Sequence, residues 1–242
     1  METPLRLLPA LLLLLPLAAT AAPTADDILR AYDAVMGPPI FAAENELTSV
    51  REDGSSSTYV MRFLKRDADK FRVWFREPAS VKGQEILRLG DNMWVYLPNL
   101  KRATRIANRE SFQGGDFNNA DVLRVNYAAD YAGTVVPSDV PGTSCVKLKA
   151  KHPGTAYDAI TLYVREKDLQ PVSARYYASS GKLLRTASFS DVKTFAKGYA
   201  RPAKVVMRNE LVPARSSTLV VRSLSLDVEA PPQRFMQTDL GR

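Results

Sequence analysis

The chain has 242 residues, a formal charge of +7, sixteen prolines, and only one cysteine and one histidine. One cysteine rules out an internal disulfide framework, and two soft ligands in all argue against a zinc or soft-metal centre, which normally takes three or four. So basic a balance points to anionic lipid surfaces or an acidic partner.

The N-terminus reads as a leader. Arg6 gives a positive start, Leu7–Ala18 is an apolar run of twelve residues, and Ala19-Thr20-Ala21 supplies a small-x-small cleavage pattern before Ala22. A membrane span needs about 20 apolar residues. The expectation is a secretory signal over 1–21 and one exported domain over 22–242. No cysteine follows the cut, so no lipid anchor is expected. Glu2 and Arg6 cancel, so residues 22–242 carry the whole charge. Nucleic acid is not an expected partner in an exported compartment.

Thr24-Ala25-Asp26-Asp27 has the form of a capping box. Ile28, Leu29, Tyr32, Val35 and Met36 follow as one apolar helical stripe, ended by Gly37 and two prolines. The period then switches to two. Glu46–Arg76 reads as three strands with turns at Asp53-Gly54-Ser55 and Asp67-Ala68-Asp69. Phe71, Val73 and Phe75 share one face of the third, and Lys70, Arg72, Trp74 and Arg76 the other. Phe63 belongs with the apolar set.

Gln84–Leu97 reads as a hairpin whose loop sequence leaves two registers open. A Gly90-Asp91-Asn92 loop puts Leu87, Leu89, Met93, Val95 and Leu97 on one face. An Asp91-Asn92 loop puts Leu87 and Leu89 with Trp94 and Tyr96. Lys101–Ile106 follows as a basic strand, and Ser111–Phe117 as a turn. Asp116 or Asn118 can cap a short helix over Asn119–Arg124. Further strands are expected at 131–136, 144–150, 157–165, 171–178, 182–190, 203–211 and 217–228. About a dozen strands with two or three helices predict a large curved antiparallel sheet, a half-barrel whose concave apolar face the helices cover.

No catalytic constellation stands out, and no enzyme activity or cofactor is expected. His152-Pro153-Gly154 looks like a turn, and Gly114-Gly115 lacks the lysine and serine of a phosphate loop. Cys145 reads as a small buried hydrophobe. The sharpest charged feature is Arg88, Lys101, Arg102 and Arg105, either a solvated sheet face or a docking patch.

Trp94-Val95-Tyr96-Leu97-Pro98, Lys101-Arg102-x-x-Arg105-Ile106 and Ser111-Phe112-x-Gly114-Gly115-Asp116-Phe117 together resemble the LolA-like family of outer-membrane lipoprotein-sorting proteins. Leu169-Gln170-Pro171-Val172, Gly181–Leu184 and Phe189–Val192 extend the likeness over about 25–240. Gly-Gly-Asp stands where the family usually has Gly-Ser-Asp. The resemblance implies an incomplete barrel with plugging helices and a cavity for acyl chains. It also implies a periplasmic place, lipid or lipoprotein cargo, and an inner-membrane partner of the RND or MmpL type; a monomer is expected. The cavity candidates are then Ile28, Leu29, Tyr32, Phe63, Phe71, Val73, Phe75, Leu87, Leu89, Trp94, Val95, Tyr96 and Leu97, with the first helix as a lid.

Overall fold

The computed structural model describes residues 22–242; the expected leader lies outside them. Helix α1 runs Ala25–Met36. Its capping box forms as expected: the Thr24 hydroxyl accepts the Asp27 N–H at 3.2 Å, and the Asp27 carboxylate accepts the Thr24 N–H at 3.0 Å. Ile28, Leu29, Tyr32 and Met36 are its buried stripe.

Six strands follow: β1 (Ile40–Val50), β2 (Ser56–Arg66), β3 (Lys70–Glu77), β4 (Glu85–Leu89), β5 (Asn92–Leu97) and β6 (Arg102–Ile106). Two short helices, α2 (Asn119–Leu123) and α3 (Tyr127–Asp130), lead into seven more. These are β7 (Tyr131–Val136), β8 (Thr143–Ala150), β9 (Ala159–Arg165), β10 (Pro171–Tyr177), β11 (Leu183–Thr194), β12 (Ala200–Asn209) and β13 (Ser216–Ser225). The first strand begins six residues before the Glu46 that alternation alone marked.

All thirteen strands form one antiparallel sheet in the order β6-β5-β4-β3-β2-β1-β13-β12-β11-β10-β9-β8-β7. Each half is a meander, and β1 pairing with β13 joins the halves. The edges β6 and β7 do not pair, so the barrel stays open. The chain between those edges, residues 107–130, turns back into the concave side, where Phe112, Phe117, Val122 and Leu123 enter the main core.

Alternation along each strand separates two cores. The concave one contains Leu47, Phe63, Phe71, Val73, Phe75, Ile86, Met93, Leu162 and Val205, among others. The second lies on the convex face, where Leu64, Leu87 and Phe235 pack with Trp74, Leu89, Trp94 and Leu240. It exists because residues after β13 fold back as a strap. Arg72 holds that strap: its fully buried guanidinium donates to the Arg234 carbonyl at 2.7 Å, the Asp239 carbonyl at 2.8 Å and the Asp239 carboxylate at 3.1 Å, and pairs with Glu85.

The hairpin register is settled by pairing. Leu87 faces Trp94, Ile86 faces Val95, and Leu89 faces Asn92, so the loop is Gly90-Asp91. Gly90 takes φ +57°, which suits glycine. The face assignment is the second of the two open registers, reached through a loop one residue earlier than the one drawn for it.

Candidate functional site

Between the concave face and the helices lies a cavity of about 70 Å³. Its walls are mostly apolar: Tyr32 and Met36 from α1, Phe41 and Ala43 from β1, Phe63 from β2, Phe71 from β3, and Phe189, Val205 and Val221 from the second half-sheet. Phe117, Val122, Val125 and Tyr127 close it from the 107–130 segment. Aromatic contacts set the walls: Phe63 and Phe41 meet Phe71 edge-to-face at 5.4 and 5.9 Å, and Tyr32 stacks on Tyr127 at 4.4 Å.

The turn that launches the plug is anchored to β1 and β13. Phe112 stacks on Phe75 at 6.2 Å. Asp116 receives the Ser217 hydroxyl at 3.2 Å on its carboxylate and donates its N–H to that oxygen at 2.9 Å; the Asn209 amide donates to it at 2.9 Å. Gly115 sits so close that an added Cβ would meet the Ser49 and Ser217 hydroxyls at 2.5 and 2.9 Å. Asn118, not Asp116, caps α2, with Asp121 closing the box. Asp121 also accepts the Tyr157 hydroxyl at 2.7 Å, and burial pushes its carboxyl above the usual range.

Polar groups around the cavity tie the helices down. Helix α1 has no base in its last turn, so its carbonyls draw donors from the sheet. Lys65 donates to the Gly37 carbonyl at 2.6 Å and Arg201 to the Met36 carbonyl at 2.9 Å, while Tyr199 reaches the Val35 carbonyl. Burial, with help from the Arg88 charge, lowers Lys65 to about 8. Asp33 of α1 caps α3 from outside, accepting the Tyr127 and Ala128 N–H groups at 2.7 and 2.9 Å. Burial raises Asp33 to about 6 in spite of those bonds.

The expected cavity residues divide four ways. Tyr32, Phe63 and Phe71 line it. Ile28, Leu29, Val73, Phe75 and Val95 pack in the core around it. Leu97 shares Val95's face by alternation but lies half-exposed at the strand end, outside that core. Leu87, Leu89 and Trp94 are corrected to the convex core, and Tyr96, on their face, lies against Gly241 of the strap. The reason is the register: a Gly90-Asp91 loop turns their side chains outward.

Arg88 is a second correction. It is only 1% exposed and sits on the concave side, donating to the Ala68 and Leu123 carbonyls at 2.7 and 3.3 Å. Burial lowers it to about 10. Lys101, Arg102 and Arg105 are exposed on or beside the edge strand, with Arg105 bonded to Asn92. The basic patch is therefore three residues without Arg88. His152 is partly exposed and lies 3.2 Å from Asp130.

Phe41, Phe117, Tyr127, Phe189, Val205 and Val221 were not expected in the cavity. Alternation in β12 and β13 was visible in the sequence, but which phase faces inward depends on pairing with β1. Phe117 was visible as part of the turn motif.

The architecture is thus an open half-barrel with a small apolar cavity closed by helices. Structural comparison finds the same architecture in known proteins. A LolA superfamily protein from Nitrosomonas europaea superposes with a TM-score of 0.80 at 25% identity, covering 89% of this chain and 98% of that one. A structure described as an outer membrane lipoprotein-sorting protein domain from Vibrio parahaemolyticus gives 0.77 at 22%, over 90% and 98%. A DUF1329 family protein from Desulfovibrio piger gives 0.78 at 21%, over 89% and 97%. No curated protein matches in sequence. A family model described as “Uncharacterized protein” matches residues 67–242. The chain belongs to that family and shares the fold of the LolA superfamily protein from Nitrosomonas europaea.

Proposed function

We propose that this protein is a non-catalytic periplasmic carrier that shields a lipid, or the acyl chains of a lipoprotein, in the concave cavity. The observation that supports it is the aromatic-lined space under the covering helices. Among the described residues no helix is long and apolar enough to cross a membrane. An exported, monomeric carrier working beside an RND- or MmpL-type inner-membrane exporter is the reading of the sequence that this cavity suits.

The energetics set how the carrier must work. About 70 Å³ is well short of the roughly 300–1,000 Å³ of ordinary ligand pockets, so cargo enters by displacing the cover. Freeing α1 would expose four buried side chains, at roughly 1.5–3 kcal/mol each, about 6–12 kcal/mol in all. A chain of about 15 methylenes gains about 12 kcal/mol on leaving water, at ~0.8 kcal/mol each. The two terms are of the same size. Cargo can therefore offset the apolar burial lost when the helix leaves, and the polar bonds to α1 favour the closed cover when cargo is absent.

Gentle purification followed by native mass spectrometry tests this. The carrier reading expects a population heavier by one lipid, lost on mild activation. A uniformly bare protein that also refuses added phospholipid in detergent exchange would count against it.

A further inference from the structure

A second recess lies on the opposite, convex face, apart from the cavity and not dependent on it. It encloses about 460 Å³ between the strap and strands β2 and β3, and its walls are Arg62, Trp74, Arg76, Glu229, Pro231 and Arg234, with Leu64 at the base. Arg62 and Arg76 also line an adjoining groove of about 510 Å³ that reaches Glu44 and Ser223 across β1 and β13. The two spaces make one trough running across four strands.

The charges in the trough are unmatched. Arg62 pairs across the ladder with Trp74, its guanidinium 5.8 Å from the indole centre, and stacking leaves the N–H fork free. Among the described residues neither Arg62 nor Arg76 has a carboxylate within 4.0 Å, whereas Arg66 and Arg72 are bound to the strap. Arg234 faces Asp239 only at 3.7 Å, and Glu44 is already shared with Arg222 at 4.0 Å. Three guanidinium groups thus share the trough with two carboxylates, Glu229 and Glu44, and neither Arg62 nor Arg76 forms an ion pair with them.

We infer that this trough binds an extended acidic segment of a partner protein, its carboxylates gripped by Arg62 and Arg76 and an apolar side chain on Trp74. The molecule itself carries a precedent for the chemistry: the strap, built largely of two 3-10 turns (Pro232–Phe235 and Gln237–Asp239), lies on the same face, and its Asp239 carboxylate is held by Arg72. An elongated recess admits a chain that enters it, whereas headgroups on a flat bilayer would meet the rim. Arginine forks match carboxylates in two-bond geometry, which a solvated face would not need.

The test uses Trp94→Phe protein, which leaves Trp74 as the only one of two tryptophans. Three probes are titrated while Trp74 emission is read: a short peptide alternating glutamate and alanine, its lysine counterpart, and phosphatidylglycerol vesicles. The glutamate peptide should saturate, weaken with salt, and lose at least about tenfold in affinity with Arg62→Ala/Arg76→Ala, because two charge-assisted grips on its carboxylates are removed. Both arginines are exposed, so the double variant should keep its melting temperature. Lys101→Ala/Arg102→Ala should leave the affinity unchanged. The inference is overturned if no saturable binding occurs or if the Lys101/Arg102 variant causes the loss instead. Vesicles bound through Arg62 and Arg76 in place of the peptide would also overturn it and make the site a lipid-headgroup site.

Discussion

Replacing Asp33 with asparagine tests the tie between the two covering helices. Asp33 accepts two N–H groups of α3 at 2.7 and 2.9 Å, so the bonds favour its charge, while burial opposes that charge more strongly and sets its pKa near 6. The distance from its ordinary 3.8 to about 6 corresponds to about 3 kcal/mol. The sign follows from linkage. An acid whose folded pKa is raised contributes stability that is fully present below its ordinary pKa and is lost as pH rises through its folded value. Wild-type protein should therefore gain stability relative to Asp33→Asn as pH falls from about 7 to about 4, by up to about 3 kcal/mol. Asparagine does not titrate and can accept only one of the two N–H groups. Thermal or urea unfolding of both proteins across that range gives the difference curve, in which the other carboxylates cancel. Parallel curves would refute the reasoning, and so would a difference that grows toward alkaline pH.

Three further substitutions probe other parts of the account. Gly115→Ala pushes a Cβ into Ser49 and Ser217, so urea unfolding should show a loss of about 1–3 kcal/mol with faster proteolysis in 107–130. Arg72→Met leaves Glu85 buried and unpaired and also releases the strap, which should cost about 3–5 kcal/mol or more, whereas Arg72→Met/Glu85→Met should recover the part due to Glu85 but not the lost strap bonds; equal losses in single and double variants would refute the buried pair. Lys65→Met removes a buried charge as well as its bond to Gly37. Global stability at neutral pH should then stay within about 1 kcal/mol while amide exchange in the last turn of α1 speeds up. A loss of several kcal/mol would contradict that balance.

Much of this fold was legible in local patterns. The capping box, the stripe of α1 and the alternating strands after Tyr131 are short-range signals, and each appears within a few residues of its expected place. The Ser111–Phe117 motif was visible as a turn, but its purpose was not. Gly115 matters because of two serines on β1 and β13, which lie far away in sequence. The hairpin faces were undetermined because Gly90, Asp91 and Asn92 all suit a tight turn, and a one-residue slip inverts every side chain. Arg88 looked like surface because arginine usually is. Its burial depends on carbonyls at Ala68 and Leu123 that no local pattern could place beside it. The strap was equally hidden: Phe235 and Leu240 have no period to follow, and only Arg72 on β3 explains where they go.

Filling the cavity without touching its ties tests the central claim most directly. Ala43 is 5% exposed and lines the cavity, so Ala43→Phe should occupy much of its roughly 70 Å³. Binding of a fluorescent fatty acid by wild type and Ala43→Phe is the measurement, with Leu87→Met on the convex core as control. The account predicts a saturable signal in wild type and control and a loss of about tenfold or more in Ala43→Phe. Undiminished binding by folded Ala43→Phe would place the lipid elsewhere and contradict it.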